Sequence, residues 1–199
     1  MGWWVDFVMR IIIILLILSQ VISCGEKSQS DEFPNLIFRN NESLVSQMIT
    51  YDNISLSIPS NLEKIVGDKY LNIEKNLETL DSSYFSTDVL SIYQSLDGMV
   101  CIISKIRDEK TIYDRLDKKF ESGLTKSFEV KETKRGQFSI NGVEAVQFIT
   151  NKGKIVNYKL YIDVMKNNCY QIDYFIPLKN FNKLQEAMEA SISTIRIIK

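Results

Sequence analysis

Residues 156–176 read VNYKLYIDVMKNNCYQIDYFI, two alternating runs around Lys166-Asn167-Asn168. The first run has the apolar set Tyr158, Leu160, Ile162 and Val164; the second has Tyr170, Ile172, Tyr174 and Ile176. Successive side chains of a strand point to opposite faces, so each run carries one apolar and one polar face. The two sets share a face only where opposing residue numbers sum to an even value. A three-residue loop at Lys166-Asn167-Asn168, with an asparagine in the left-handed region, meets that condition by closing on Met165 and Cys169. The expected pairs are Val164 with Tyr170, Ile162 with Ile172 and Leu160 with Tyr174. Asp163 then opposes Gln171, Tyr161 opposes Asp173 and Lys159 opposes Phe175 on a face expected to be wet.

Upstream, Phe138 and Ile140 lead into Asn141-Gly142, and Val146 and Phe148 lead out. A strict two-residue loop sets those pairs on opposite faces, and a bulge would reconcile them, so this register stays open. VLSIYQSL and MVCIISKI flank Asp97-Gly98, a hairpin signal because both positions of a two-residue turn need positive φ. This pairing places Cys101 with Leu96, Met99 and Ile103 on a buried face. LVSQMITYDNISLSIP gives two strands around Asp52-Asn53, with Ile54, Leu56 and Ile58 alternating with Ser55 and Ser57 until Pro59. Residues 60–87 are ambiguous: Tyr70, Ile73, Leu77 and Leu80 have helical spacing in a polar, largely irregular stretch.

Two segments change period. In TIYDRLDKKFESGLTKSF, Ile112, Leu116, Phe120 and Leu124 recur every four residues among charged neighbours. In NFNKLQEAMEASISTI, Phe181, Leu184, Met188, Ser191 or Ile192, and Ile195 form a stripe, with Asn180 as the expected cap and RII as a short closing strand. Tight turns make strands antiparallel, and a helix with one apolar stripe must lie on a sheet. The fold class expected is α+β: an antiparallel β-sheet meander with two amphipathic helices packed on it.

The start of the chain carries a different message. IIIILLIL behind Arg10 is shorter than the roughly 20 apolar residues of a spanning helix, and Ser19, Gln20 and Ser23 end it as in a secretory signal. Val21-Ile22-Ser23-Cys24 resembles the bacterial lipoprotein signal, although Ile22 is bulkier than that family usually places there. The resemblance implies removal of residues 1–23 as a signal peptide and lipidation of Cys24, whose two or more acyl chains give stable anchoring. An uncleaved membrane anchor that happens to end in cysteine is the other reading. GEKSQSDEFPN makes residues 24–35 a lipidated flexible tether, leaving residues 36–199 as a single α+β domain. Gly25, in place of the aspartate that retains such proteins at the inner membrane, points to the outer membrane of a bacterial cell envelope. The periplasmic or surface side is undecided.

Composition prunes the function classes. The chain has no histidine, which removes His-based triads, Cys–His dyads and imidazole metal sites. Besides Cys24, only Cys101 and Cys169 remain; both fall in strand-like segments and read as buried unpaired thiols rather than a disulfide. A net charge of −1 gives no footprint for nucleic acid. No cofactor or metal site is marked.

The order of elements resembles the PsbP-like fold, shared by photosystem subunits and DcrB-type bacterial lipoproteins. The residues that carry the resemblance are ISLSIPSNLEKI, the FSINGVEAVQF hairpin and the closing YQIDYFIPLKNFNKLQEAMEASISTI. The family's usual tryptophan after the early proline is absent, with Leu62 nearest. The resemblance implies a non-catalytic protein that binds partners or assists assembly. The function expected is thus a membrane-anchored envelope lipoprotein, attached through Cys24, acting as a binding or adaptor module for a protein partner. Tyr161, Phe175 and Met165, on the outer face of the last hairpin, are the candidate interaction surface. The alternatives are an immunity-type lipoprotein that neutralises a toxin and an enzyme using Asp163 and Asp173, two positions apart on one face.

Overall fold

Among residues 38, 40–81, 87–107, 132–165 and 168–198, which the computed structural model describes, the backbone is mostly antiparallel β-sheet with two α-helices, an α+β fold. The elements are β1 (Val45–Tyr51), β2 (Ile54–Pro59), β3 (Glu63–Lys64), α1 (Asp68–Asp81), β4 (Thr87–Gln94), β5 (Val100–Ile106) and β6 (Glu132–Ile140). They continue as β7 (Val143–Asn151), β8 (Ile155–Met165), β9 (Asn168–Pro177), α2 (Phe181–Ser193) and β10 (Arg196–Ile197). A seven-stranded sheet runs β3-β4-β5-β9-β8-β7-β6, and a small sheet runs β1-β2-β10. The signal segment, the tether and the helix expected over 111–124 lie outside the described residues. α1 occupies the stretch that the sequence left ambiguous.

The closing hairpin keeps its faces but not its register. Ile162 pairs with Tyr170, Leu160 with Ile172 and Tyr158 with Tyr174, two residues away from the expected pairing. Met165 pairs with Asn168, so the strands close around Lys166 and Asn167 rather than around three residues, and the ladder is irregular between Asp163 and Met165. The extra residue at that irregularity restores the even sum, which is why the parity survives.

The wet face is the larger correction. Lys159, Tyr161, Gln171 and Asp173 are 4, 1, 2 and 2% exposed. Their face also carries Ile92, Ile102, Val146 and Phe148, all buried. Near β4 it is covered by α1, where Tyr70 and Ile73 pack against Ile65, Ile92 and Ile102. Two-sided burial also explains the Asn141-Gly142 hairpin. Ile140 pairs with Val143 and Phe138 with Ala145 through a strict two-residue turn, Asn141 at φ 50° and Gly142 at φ 76°, with no bulge. Val146 and Phe148 do point away from Phe138, into the second buried face.

The first face is covered by α2 and the small sheet together. Tyr158 stacks on Phe181 with ring centroids 6.0 Å apart. The Tyr174 hydroxyl lies 2.8 Å from Ser191 Oγ, which in turn donates to the Ser57 carbonyl. Ser191 has one proton and gives it to β2, so Tyr174 is the donor to Ser191. The Ser57 N–H donates to Thr194 Oγ1 at 2.8 Å, so the end of α2 takes over as neighbour of β2 where β10 stops. Asn180 stands at the N-cap position without capping. Its side chain donates instead to the Asp97 carbonyl at 2.8 Å.

The Asp97-Gly98 turn is wider than expected. Gln94 pairs with Val100, which leaves residues 95–99 as the loop, and Gly98 (φ 88°), not Asp97, takes the left-handed region. Leu96 is therefore fully exposed instead of joining Met99, Cys101 and Ile103 in the core. A Cβ on Gly98 would also stand 3.1 Å from Pro177 Cγ. Gly98→Ala is expected to lower stability by about 1–2 kcal/mol, from the left-handed backbone and this contact together. Gly142→Ala, with open space around it, should show the backbone part alone. Urea unfolding of both variants measures the difference.

Candidate functional site

Among the described residues, two places gather chemistry-bearing side chains: the centre of the second sheet face, and an open groove at the β3 edge. At the first, Asp173 lies at the middle of β9 beside Lys159 on β8. Lys159 Nζ is 3.0 Å from Asp173 Oδ1, and the two side chains are 5 and 3% exposed. Asn157 Nδ2 donates to Oδ1 at 3.2 Å and Gln171 Nε2 to Oδ2 at 2.6 Å. Three neighbours, two on β8 and one on β9 itself, thus occupy one carboxylate. Such an arrangement ties β8 to β9 and offers no open lone pair to a substrate.

The sequence-derived candidates fall as follows. Cys24 lies outside the described residues. Tyr161 is buried, with its ring edge-on to Phe148 at 5.9 Å. Phe175 is half-buried and packs against the Ile65, Ile92 and Ile102 cluster. Met165 ends β8, and its side chain lies outside the described residues. Tyr161 and Phe175 therefore form part of the interior rather than an exposed patch, because the face expected to be wet is covered. Asp163 opposes Cys169 while Asp173 opposes Lys159. That leaves the two carboxylates four positions apart along the ladder, about 13 Å, too far to share one substrate proton.

Cys101 and Cys169 are buried and unpaired, Cys101 opposite Tyr174 and Cys169 opposite Ile106. Burial pushes the Cys169 thiol up to about 12, with Asp163 adding to it, and pushes Cys101 up further. Neither is an accessible thiolate at neutral pH. Among the described residues no group of three or more Cys, Asp or Glu converges to hold a metal ion, and no helix is long and apolar enough to cross a membrane.

The second place was missed by sequence reasoning. A groove of about 700 Å³ is lined by Asn61, Glu63, Lys64, Ile65, Val66, Lys69 and the loop from Gln94 to Asp97. β3, only two residues long, lines it at the edge of the seven-stranded sheet. Val66 (72% exposed) and Leu96 (fully exposed) are the exposed large apolar side chains among its lining residues. Lys69 Nζ donates to Gln94 Oε1 at 2.6 Å, and Asp97 is paired with Lys183 at 2.9 Å. No nucleophile with a base beside it lines the groove; its equipment is apolar contact and charge. The signal in the sequence was Leu96 itself, an apolar residue immediately before Asp-Gly, which a two-residue turn hides in the core.

No protein-family model matches the sequence, and comparison with curated proteins gives no match. Among solved structures, the chain is similar to the solution structure of cyanobacterial PsbP (CyanoP) from Synechocystis, with 11% identity and a TM-score of 0.48 over 76% of this chain and 92% of that one. It is also similar to PA94 of Pseudomonas aeruginosa, described as a putative regulator, with 12% identity and a TM-score of 0.43 over 75 and 94%. A third is LpqN, involved in cell envelope biogenesis of Mycobacterium tuberculosis, with 13% identity and a TM-score of 0.42 over 81 and 95%.

Lys159→Met alone is expected to cost roughly 3–5 kcal/mol by leaving Asp173 buried without its cation, whereas Lys159→Met with Asp173→Leu should recover most of that loss. Chemical unfolding of the single and double variants measures this. A second expectation concerns alkaline pH. The folded-state pKa values of Cys101, Cys169, Tyr158 and Tyr174 lie above their ordinary values, because burial disfavours the charged forms. The folded protein then holds these protons more tightly than the unfolded chain does. The associated stability is complete below the ordinary thiol value of 9.0 and is lost as pH rises toward 12. The urea midpoint should fall steadily across that window, with the thiols unreactive to a disulfide reagent until the protein unfolds.

Proposed function

We propose that this chain is a lipid-anchored bacterial envelope protein, held at the outer membrane through Cys24, whose PsbP-like domain is a non-catalytic binding module for a protein partner. The address rests on Val21-Ile22-Ser23-Cys24 behind a short apolar core. The observation that carries the binding reading is the groove at the β3 edge, where Val66 and Leu96 stand exposed in a domain that buries both faces of its large sheet. Solvent-facing apolar side chains lining a concave site are what a partner surface covers. Asp163 and Asp173 are separated, so the acid–base pair that an enzyme reading would use is not assembled.

Labelled palmitate is expected to enter the wild-type protein and to be absent from Cys24→Ala, which should also leave the membrane fraction. Equal label in both would overturn the anchor. In a pull-down from detergent-solubilised envelope, Leu96→Asp should lose partners that the wild-type bait retains.

A further inference from the structure

Resting on the binding-module reading, we infer that the β3-edge groove receives an acidic, extended segment of a protein partner, with separate apolar side chains of that segment against Val66 and Leu96. Four observations carry this. The first is charge. The whole chain has a net charge of −1, yet the groove and adjoining turns hold exposed Lys64, Lys69, Lys152, Lys154, Lys179 and Lys183 against Glu63, Asp68 and Asp97. Asp97 is already neutralised by Lys183, and Lys69 is held by the uncharged Gln94. An acidic partner finds cations there that are not occupied by carboxylates.

The second is the apolar distribution. Of the large apolar side chains exposed among the described residues, Val66, Leu96, Ile155 and Leu178 share this end of the sheet, Leu71 stands in the first turn of α1, and only Met48 and Ile198 lie elsewhere. The turns that carry them are fixed to one another: Leu178 N–H donates to the Lys154 carbonyl and Asn180 to the Asp97 carbonyl, each at 2.8 Å. The surface is thus preformed, which lowers the ordering cost of binding.

The third is the edge. Ile65 N–H donates inward to the Ile92 carbonyl, so the alternation of a ladder turns the Lys64 N–H and C=O outward. An extended segment can pair with them as it crosses the groove. Further along β4 the edge is closed, because the Tyr70 hydroxyl donates to the Val89 carbonyl at 2.7 Å. Pairing is thereby limited to the groove.

The fourth is position. Phe38, the first described residue, packs on Phe138 of β6 with centroids 4.6 Å apart. β6 and β3 are the two edges of the large sheet, six strand spacings or roughly 29 Å apart. The groove therefore lies at the sheet edge away from the one that Phe38 packs on, clear of the first described residues.

The test uses the detergent-solubilised full chain and a short fluorescent peptide alternating glutamate with leucine, beside a counterpart with lysine for glutamate. Anisotropy should show the acidic peptide binding at least about tenfold more tightly than the basic one, weakening with salt. Leu96→Asp, and separately Lys64→Glu with Lys69→Glu, should each lose about tenfold. These residues are exposed, and thermal unfolding of each variant confirms that it folds. Equal binding of the two peptides, or no effect of Leu96→Asp, overturns the proposal. Quenching of a Leu96→Trp variant by brominated anionic lipid, without peptide binding, would assign this end to a membrane and overturn it too. A photoreactive residue in place of Leu96 in living cells separates the two levels. A crosslink to a protein lacking an acidic segment sinks the acidic-segment proposal and leaves the binding module standing. No crosslink there or at Val66 removes both.

Discussion

A sheet buried on both faces cannot separate its polar and apolar residues by alternation, and this constraint organises the domain. β5, β8 and β9 run through the middle of the large sheet, and the polar side chains at its centre, Asn157, Lys159, Gln171 and Asp173, have no water to turn to. Asp173 is therefore met by Lys159, Asn157 and Gln171 on its own and the neighbouring strand. Breaking such a group is costly because the partner left behind is a buried charge, even though an apolar replacement of the whole group could be as stable. What the cluster supplies is register. An ion pair at one position of the ladder is lost by any slip of β8 against β9, whereas a uniform row of isoleucines would tolerate one.

The opposite face shows how the layers are joined. The bond series from Tyr174 to Ser191 to the Ser57 carbonyl crosses from the large sheet through α2 to the small sheet. All three groups are buried, so each satisfies another's hydrogen-bonding need where water cannot. Thr194 completes the junction by accepting from Ser57 N–H and donating to the Ser191 carbonyl at the end of α2. A helix terminus normally leaves carbonyls to be solvated. Here the same residues that finish the helix also continue the edge of β2 and direct the chain into β10.

Parity in the closing hairpin was legible because two sets of four apolar residues each obey a period of two, and only an even register serves both. The register itself was not legible. A three-residue loop and a two-residue loop with a bulge have the same parity, and loop chemistry at Lys166-Asn167-Asn168 does not choose between them. Leu96 failed for a related reason: Asp-Gly suits a two-residue turn with two left-handed positions, and equally a longer loop in which glycine alone is left-handed. The mistaken wet face had a different source. Lys159, Gln171 and Asp173 look solvated to any reading that assigns faces by polarity. Only the packing of other segments, α1 among them, shows that their charges are satisfied within the sheet. The thiols were read correctly because Cys101 sits between apolar neighbours on both faces, where every neighbouring residue makes the same case.

The same constraint says where function has room. With the middle of the large sheet covered on both faces and α2 held between two sheets, what the large sheet itself offers a partner lies at its edge strands and turns. Those places differ in protection. β4 is sealed by β3 and by the Tyr70 hydroxyl, and β6 carries Lys134 and Arg135, charges of the kind that discourage chance pairing of an edge strand. The two-residue β3 leaves a gap beside the 95–99 loop, and the apolar side chains there, Val66 and Leu96, make no contribution to the core. An exposed leucine at a turn costs solubility and contributes nothing to folding. Its place beside lysines that meet no carboxylate, on a loop tethered by Asn180 and Lys183, is the feature on which the proposed binding role rests.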